Sequence, residues 1–133
     1  MEKDVEGSKI TIIDDEKSLV ETIREFLEAR NFTVSFAYDG HSGLDVIRKE
    51  KPDLVVLDIA MPKMNGRVMF LELRNDERIK NIPVIMLSAK VEPFDVAYGM
   101  EIGAAAYLTK PCTMERLLEQ INDVLYKRKT EGF

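Results

Sequence analysis

Five short, mostly apolar runs alternate with amphipathic stretches along this chain, and this alternation limits its fold more than any other feature. The runs predict strands at Lys9–Ile13, Phe32–Tyr38, Asp53–Asp58, Ile82–Ser88 and Ala105–Leu108. Apolar residues at helical spacing predict helices at Glu16–Arg30, Ser42–Glu50, Val68–Asn75, Pro93–Ile102 and Thr113–Lys127, with Ser42 as the cap of the second. Strand and helix alternating five times predict a doubly wound parallel α/β sheet with right-handed crossovers.

Length and charge narrow the class of protein. A chain of 133 residues fits one domain that closes a single core. Its net charge of -5 offers no clustered basic surface for nucleic acid, so we expect no direct nucleic-acid binding. With Cys112 as the only cysteine, an internal disulfide is excluded. The first residues lack a signal-peptide pattern, and no apolar run reaches membrane-spanning length, so we expect a cytoplasmic protein.

The distribution of polar and apolar residues also predicts the domain boundaries. We expect a polar leader at residues 1–8 and one domain at residues 9–127. Residues 128–133 are polar and charged, and they predict either a tail or the start of a linker.

Polar side chains follow four of the predicted strands at the points where those strands end. They are Asp14 and Asp15, Asp58, Ser88 and Lys110. Because the carboxyl ends of parallel strands meet at one edge of a sheet, we expect these side chains to share a pocket. Carboxylates crowded together repel each other, unless a hard divalent cation and a positive side chain lie among them. The pattern therefore predicts a Mg²⁺ site.

The buried position predicted for Asp58 indicates what such a site does. Asp14 and Asp15 alone would be interpreted as a helix cap, and Ser88 alone as a hydroxyl bonded to backbone. An aspartate after the apolar run Leu54–Leu57 needs a metal or Lys110 to offset its buried charge. An ionised carboxylate beside Mg²⁺ can attack phosphorus and form an acyl phosphate. Lys110 precedes a proline, and we hypothesise a cis bond there.

Five short motifs occur in the order and at the spacing that one protein family shows. They are Ile12-Ile13-Asp14-Asp15-Glu16, Leu57-Asp58-Ile59-Ala60-Met61-Pro62 with Asn65-Gly66, Leu87-Ser88-Ala89, Gly103-Ala104 and Tyr107-Leu108-Thr109-Lys110-Pro111. Each is weak alone, but together they are specific. From about Lys9 to Lys127 the chain resembles the receiver domain of a two-component response regulator. The resemblance implies a flavodoxin-like (βα)5 sandwich whose five-stranded parallel sheet has the order 2-1-3-4-5.

The resemblance also implies roles for the residues of the site. Asp58 would be the phosphoacceptor and Lys110 the lysine that binds the phosphoryl group. Mg²⁺ would be held by Asp58, by Asp15 directly, by Asp14 through water and by the backbone carbonyl of Ala60. Such a domain catalyses its own phosphorylation and hydrolysis but does not turn over a separate substrate.

A switch and its partners follow from the same resemblance. Ser88 and Tyr107 would form a switch pair, in which the hydroxyl moves toward the phosphoryl group and the ring turns inward. The face formed by the predicted helix at residues 93–102, the last strand and the last helix would change with phosphorylation. A sensor histidine kinase or a phosphotransfer protein would donate the phosphoryl group, and an output domain or effector protein would sense that face.

Three other functions are weighed against this one. An aspartate-dependent phosphohydrolase typically places its second Asp two residues after the nucleophile, where this chain has Ala60. A flavin carrier of the same topology needs a phosphate loop after the first strand, where Asp14, Asp15 and Glu16 would repel the phosphate. An unphosphorylated protein–protein adaptor remains an alternative, although the intact set of site residues favours phosphorylation.

Overall fold

Five parallel strands form one sheet in this computed structural model, which describes residues 5–60, 66–89, 101 and 103–131. The strands are β1 (Lys9–Ile13), β2 (Thr33–Ala37), β3 (Leu54–Leu57), β4 (Val84–Ser88) and β5 (Ala106–Thr109). Their order is β2-β1-β3-β4-β5, and every neighbouring pair is parallel. In this register Ile13 of β1 lies beside Ala37 on one side and Leu57 on the other. The predicted doubly wound fold and strand order are confirmed.

Four helices are described, three between strands and one after β5. They are α1 (Lys17–Glu28), α2 (Gly40–Glu50), α3 (Gly66–Asn75) and α4 (Met114–Glu131). None of these described helices has the length and apolar composition needed to cross a bilayer. The helix predicted at Pro93–Ile102 lies outside the described residues, apart from Glu101, which is helical.

Both faces of the sheet are covered by apolar side chains, and alternate residues of each strand contribute to opposite faces. Ile12 of β1 belongs to the cluster under α1 and α4, whereas Ile13 belongs to the cluster under α2 and α3. The same division separates Val56 from Leu57 in β3. Each fully buried Leu or Ile contributes about 1.5–3 kcal/mol. Burial on both faces explains why the inner strands are continuously apolar in sequence.

The described structure extends beyond residues 9–127 at both ends. Helix α4 continues past Lys127 to Glu131, and the Arg128 guanidinium donates to the carbonyl oxygen of Asp53 at the start of β3. Val5 is buried in the cluster under α1 and α4. The helix end predicted at Lys127 is therefore wrong, because the hydrogen bond to Asp53 holds another turn against the sheet.

Arg74, near the end of α3, binds two stretches of backbone. Its guanidinium donates to the carbonyl oxygens of Lys80 at 2.9 Å, Ile82 at 2.8 Å and Gly103 at 3.4 Å. It also lies 4.5 Å from the ring centroid of Phe70. Burial lowers the pKa of Arg74. One side chain thus holds the loop before β4 against the turn before β5.

The first turn of α2 is capped by Asp39. Its Oδ1 accepts a hydrogen bond from the backbone N–H of Ser42 at 2.8 Å, and its Oδ2 accepts from the Ser42 hydroxyl. The sequence predicts Ser42 as the cap, and this is wrong. Helix α2 begins at Gly40, so Ser42 lies inside the first turn, where its N–H needs an acceptor.

We expect the Asp39→Ala variant to lose about 1 kcal/mol of unfolding free energy, since an unpaired N–H is left in the first turn. The Ser42→Ala variant keeps that N–H and its acceptor, so its loss should stay below about 0.5 kcal/mol. Urea denaturation of both variants measures the difference. Equal losses would show that Asp39 stabilises the helix start through the Ser42 hydroxyl rather than through the backbone N–H.

Candidate functional site

Backbone hydrogen bonds that continue past the strand ends hold the predicted site residues at one edge of the sheet. The N–H of Asp14 donates to the carbonyl oxygen of Ala37 at 3.2 Å. The N–H of Asp58 donates to the carbonyl oxygen of Ile13 at 3.0 Å. The N–H of Lys110 donates to the carbonyl oxygen of Ser88 at 2.9 Å. Residues from the ends of β1, β3, β4 and β5 are thereby brought together.

The ammonium of Lys110 lies between two buried carboxylates. Its Nζ is 2.8 Å from Oδ2 of Asp14 and 3.2 Å from Oδ2 of Asp58. The two aspartate side chains are only 3% and 7% exposed, and that of Lys110 is 17% exposed. Buried charges of one sign are tolerated only when paired, so the lysine is what permits both acids to lie here. The peptide bond between Lys110 and Pro111 is cis.

Two backbone N–H groups bind the remaining oxygens of these carboxylates. The N–H of Glu16 donates to Oδ1 of Asp14, and the N–H of Ala60 donates to Oδ1 of Asp58, each at 2.9 Å. In both cases the donor follows the acid by two residues, as in an Asx-turn. These donors are backbone groups that the side-chain pattern does not predict, although an aspartate at the start of a loop favours such a turn.

A third carboxylate completes an acidic cluster. One carboxylate oxygen each of Asp14, Asp15 and Asp58 lies within 4.8 Å of the other two, and Asp15 is exposed to solvent. Hard oxygen ligands with access to water are what Mg²⁺ requires. The donor set therefore fits this ion. Ala60 lies beside the cluster through its N–H, and the role predicted for its carbonyl oxygen stays a prediction.

The pKa values of the paired groups reflect burial and charge together. Desolvation raises the pKa of Asp14 above its usual value, and this outweighs the opposing hydrogen bonds from Lys110 and Glu16. Burial would lower the pKa of Lys110, but its hydrogen bond to Asp14 and the charges of both aspartates raise it. Lys110 therefore stays protonated at neutral pH, and the site retains its positive charge.

Ser88 and Tyr107 lie on neighbouring strands. Ser88 ends β4 and is fully buried, and its partner in the sheet register is Thr109. Tyr107 pairs with Met86 in that register, and its partly buried ring packs on the cluster under α2 and α3. The two residues thus lie two positions apart along paired strands. Their role as a switch pair stays a prediction.

The acidic cluster lies at the carboxyl edge of the parallel sheet, where open α/β folds bind their ligands. This chain belongs to the response regulator receiver domain family, whose model matches residues 10–122. Domains of this family are generally phosphorylation-dependent signalling switches of two-component systems.

Individual relatives agree with this assignment. The chain is 38% identical over 119 residues to the alkaline phosphatase synthesis transcriptional regulatory protein PhoP of Bacillus subtilis. The match covers 90% of this chain and 49% of that protein, so the chain spans about half the length of this curated relative. The receiver domain of the Francisella response regulator 1452 is 31% identical, with a TM-score of 0.84 over 93% of this chain and 100% of that chain. A CheY-like receiver domain protein from Methanospirillum hungatei JF-1 is 26% identical, with a TM-score of 0.88 over 95% and 99%.

In metal-free buffer we expect Asp14→Asn to be more stable than the wild type at pH 7. The pKa of Asp14 is higher in the folded state than in the unfolded state. The wild type therefore loses stability as the pH rises from the pKa of the unfolded state through that of the folded state. Asparagine cannot ionise, so the advantage of the variant should shrink as the pH falls toward about 4. Urea unfolding in EDTA at several pH values measures this.

Asp45→Asn is the control, since the Asp45 side chain is 71% exposed and its loss should change stability little at any pH. A wild type more stable than Asp14→Asn across the pH range would mean that the ion pair with Lys110 outweighs the desolvation of Asp14.

Proposed function

We propose that this domain accepts a phosphoryl group on Asp58 from a phosphohistidine of a sensor histidine kinase or phosphotransfer protein. The observation that carries the proposal is the buried carboxylate of Asp58, with the Lys110 ammonium 3.2 Å from Oδ2 and two further acids beside it. Family membership supports the general function, and this geometry supports the choice of residue.

The transfer is a substitution at phosphorus. A carboxylate oxygen of Asp58 forms a bond to phosphorus as the bond from phosphorus to the donor nitrogen breaks, and that nitrogen keeps the electron pair. The product is an acyl phosphate on Asp58 and, with a proton taken up by the donor's imidazole ring, a neutral histidine. Water then attacks phosphorus as the bond from phosphorus to the Asp58 oxygen breaks. This restores the carboxylate and releases inorganic phosphate, and the proton lost by the attacking water passes to solvent. Lys110 offsets charge on the phosphoryl oxygens throughout.

Asp14, Asp15 and Asp58 would hold Mg²⁺, with the carbonyl oxygen of Ala60 as a further ligand. When bound, the ion supplies charge stabilisation for the phosphoryl oxygens and lowers the repulsion among the acids. In this proposal Asp15 acts directly, since it is the exposed member of the cluster, and Asp14 acts through water because Lys110 already binds its Oδ2.

Ser88 and Tyr107 are proposed to transmit the change. The buried hydroxyl of Ser88 would donate to a phosphoryl oxygen, and the ring of Tyr107 would turn toward the space that the hydroxyl leaves. The surface around β5 and α4 would then differ between the two states, and an output domain or effector protein would bind one of them better. The domain that does this is proposed to span residues 9–127, and the last turn of α4, which ends at Glu131, is proposed to lead from it into a tail or linker.

The chemistry is tested by intact mass after incubation with acetyl phosphate and Mg²⁺. We expect the wild type to gain one phosphoryl group, because the ionised Asp58 carboxylate is the nucleophile. The gain should disappear in Asp58→Asn and in EDTA, and should persist in Asp45→Asn, which changes an exposed carboxylate. No gain in the wild type would favour the unphosphorylated adaptor instead.

The role of Ser88 is tested by comparing it with Thr109, its partner in the sheet register. Ser88→Ala should slow phosphorylation by acetyl phosphate roughly tenfold or more, because a hydrogen bond to a charged oxygen is lost. Thr109→Ala removes a hydroxyl from the paired position, where the side chain is exposed, and should leave the rate within about twofold. Equal rates for the two variants would show that the Ser88 hydroxyl does not bind the phosphoryl group during the transfer.

A further inference from the structure

Helix α2 lies against the end of β1 with no space for a side chain at Gly43. A Cβ atom built there would lie 2.7 Å from Cδ1, 3.0 Å from Cγ2 and 3.1 Å from Cγ1 of Ile13. Carbon atoms in contact are normally about 3.5–4.0 Å apart. Rotation about the Cβ–Cγ1 bond of Ile13 moves only Cδ1 and so relieves only the first contact. The other two atoms stay in place because they are bonded directly to Cβ. Any side chain at residue 43 would therefore push against Ile13 as a whole.

Ile13 is the residue that connects the two buried acids. It precedes Asp14 in the chain, and its carbonyl oxygen accepts the hydrogen bond from the N–H of Asp58. Its side chain is fully buried among the apolar residues under α2 and α3, and it has strand neighbours on both sides. A displacement of Ile13 is therefore transferred to the backbone of both Asp14 and Asp58.

Helix α2 cannot easily move away to relieve such a contact. Leu44 and Ile47 bury its inner face, and Asp39 caps its first turn. On the next turns, Nε of Arg48 lies 3.0 Å from Oδ2 of Asp76, which joins the helix to the loop after α3. With the helix held in this way, at least part of the displacement falls on Ile13.

We propose that Gly43 is a positioning residue for the acidic cluster. Its missing side chain lets α2 hold Ile13 where Asp14 and Asp58 have the spacing that Mg²⁺ binding needs. This inference rests on the proposed function of the cluster. Mg²⁺ requires near-octahedral geometry with ligand distances of about 2.0–2.1 Å, so a shift of a few tenths of an ångström at the strand end weakens its binding.

The test uses Gly43→Ala, Ile13→Val and the double variant. Gly43→Ala should weaken Mg²⁺ binding, measured by calorimetry, by roughly threefold to tenfold. Ile13→Val alone should stay within about twofold of the wild type. The double variant should recover part of the affinity, because valine lacks the Cδ1 atom, which makes the shortest of the three contacts, but keeps both Cγ atoms. Recovery by a second substitution would not follow from a general loss of stability.

A second readout needs no metal. In metal-free NMR spectra, the amide resonances of Asp14 and Asp58 should shift in Gly43→Ala and return toward wild-type positions in the double variant. Ile121→Val, which changes a buried residue on the opposite face of the sheet, should lower stability without moving these resonances or the Mg²⁺ affinity.

The outcomes separate this inference from the proposed function. Wild-type Mg²⁺ affinity in Gly43→Ala, or no recovery in the double variant, would overturn the positioning role. If the wild type itself binds no Mg²⁺, the proposed function fails, and the role of Gly43 toward that ion fails with it. The amide resonances would then show whether Gly43 still sets the positions of Asp14 and Asp58.

Discussion

The ammonium of Lys110 between the carboxylates of Asp14 and Asp58 is the interaction on which this end of the molecule depends. Two aspartates at the ends of neighbouring buried strands would repel each other and lose hydration at once. The lysine reaches both from the end of β5, and backbone N–H groups bind their other oxygens. Removing these charged groups from water costs free energy that their pairing does not fully recover. Their burial therefore indicates a site that serves function rather than stability.

Much of the fold could be predicted from the sequence, because a strand covered on both faces must be apolar at nearly every position. The boundaries were harder to predict. Ser42 and Asp39 are both good capping residues, and only the start of α2 at Gly40 decides between them. The end of α4 depends on Arg128 reaching the carbonyl oxygen of Asp53, a contact between residues far apart in sequence.

The acids, the lysine and the serine of the candidate site could be predicted from the sequence, because each lies at or just after the end of a predicted strand. The groups that fix their geometry were not. The N–H donors of Glu16 and Ala60 belong to the backbone, which every residue carries, so their side chains give no signal. The contact between Gly43 and Ile13 depends on how closely a helix approaches a strand, and composition alone does not report that distance.

The three carbonyl oxygens bound by Arg74 have a consequence for how this part of the molecule opens. Lys80 and Ile82 lie before β4 and Gly103 lies before β5, yet all three share one guanidinium. Separating either segment from α3 leaves its carbonyls without their donor and exposes the partly buried guanidinium, which weakens the hydrogen bonds to the other segment. Local unfolding there is therefore cooperative, and the two loops behave as one unit of native-state fluctuation instead of fraying independently.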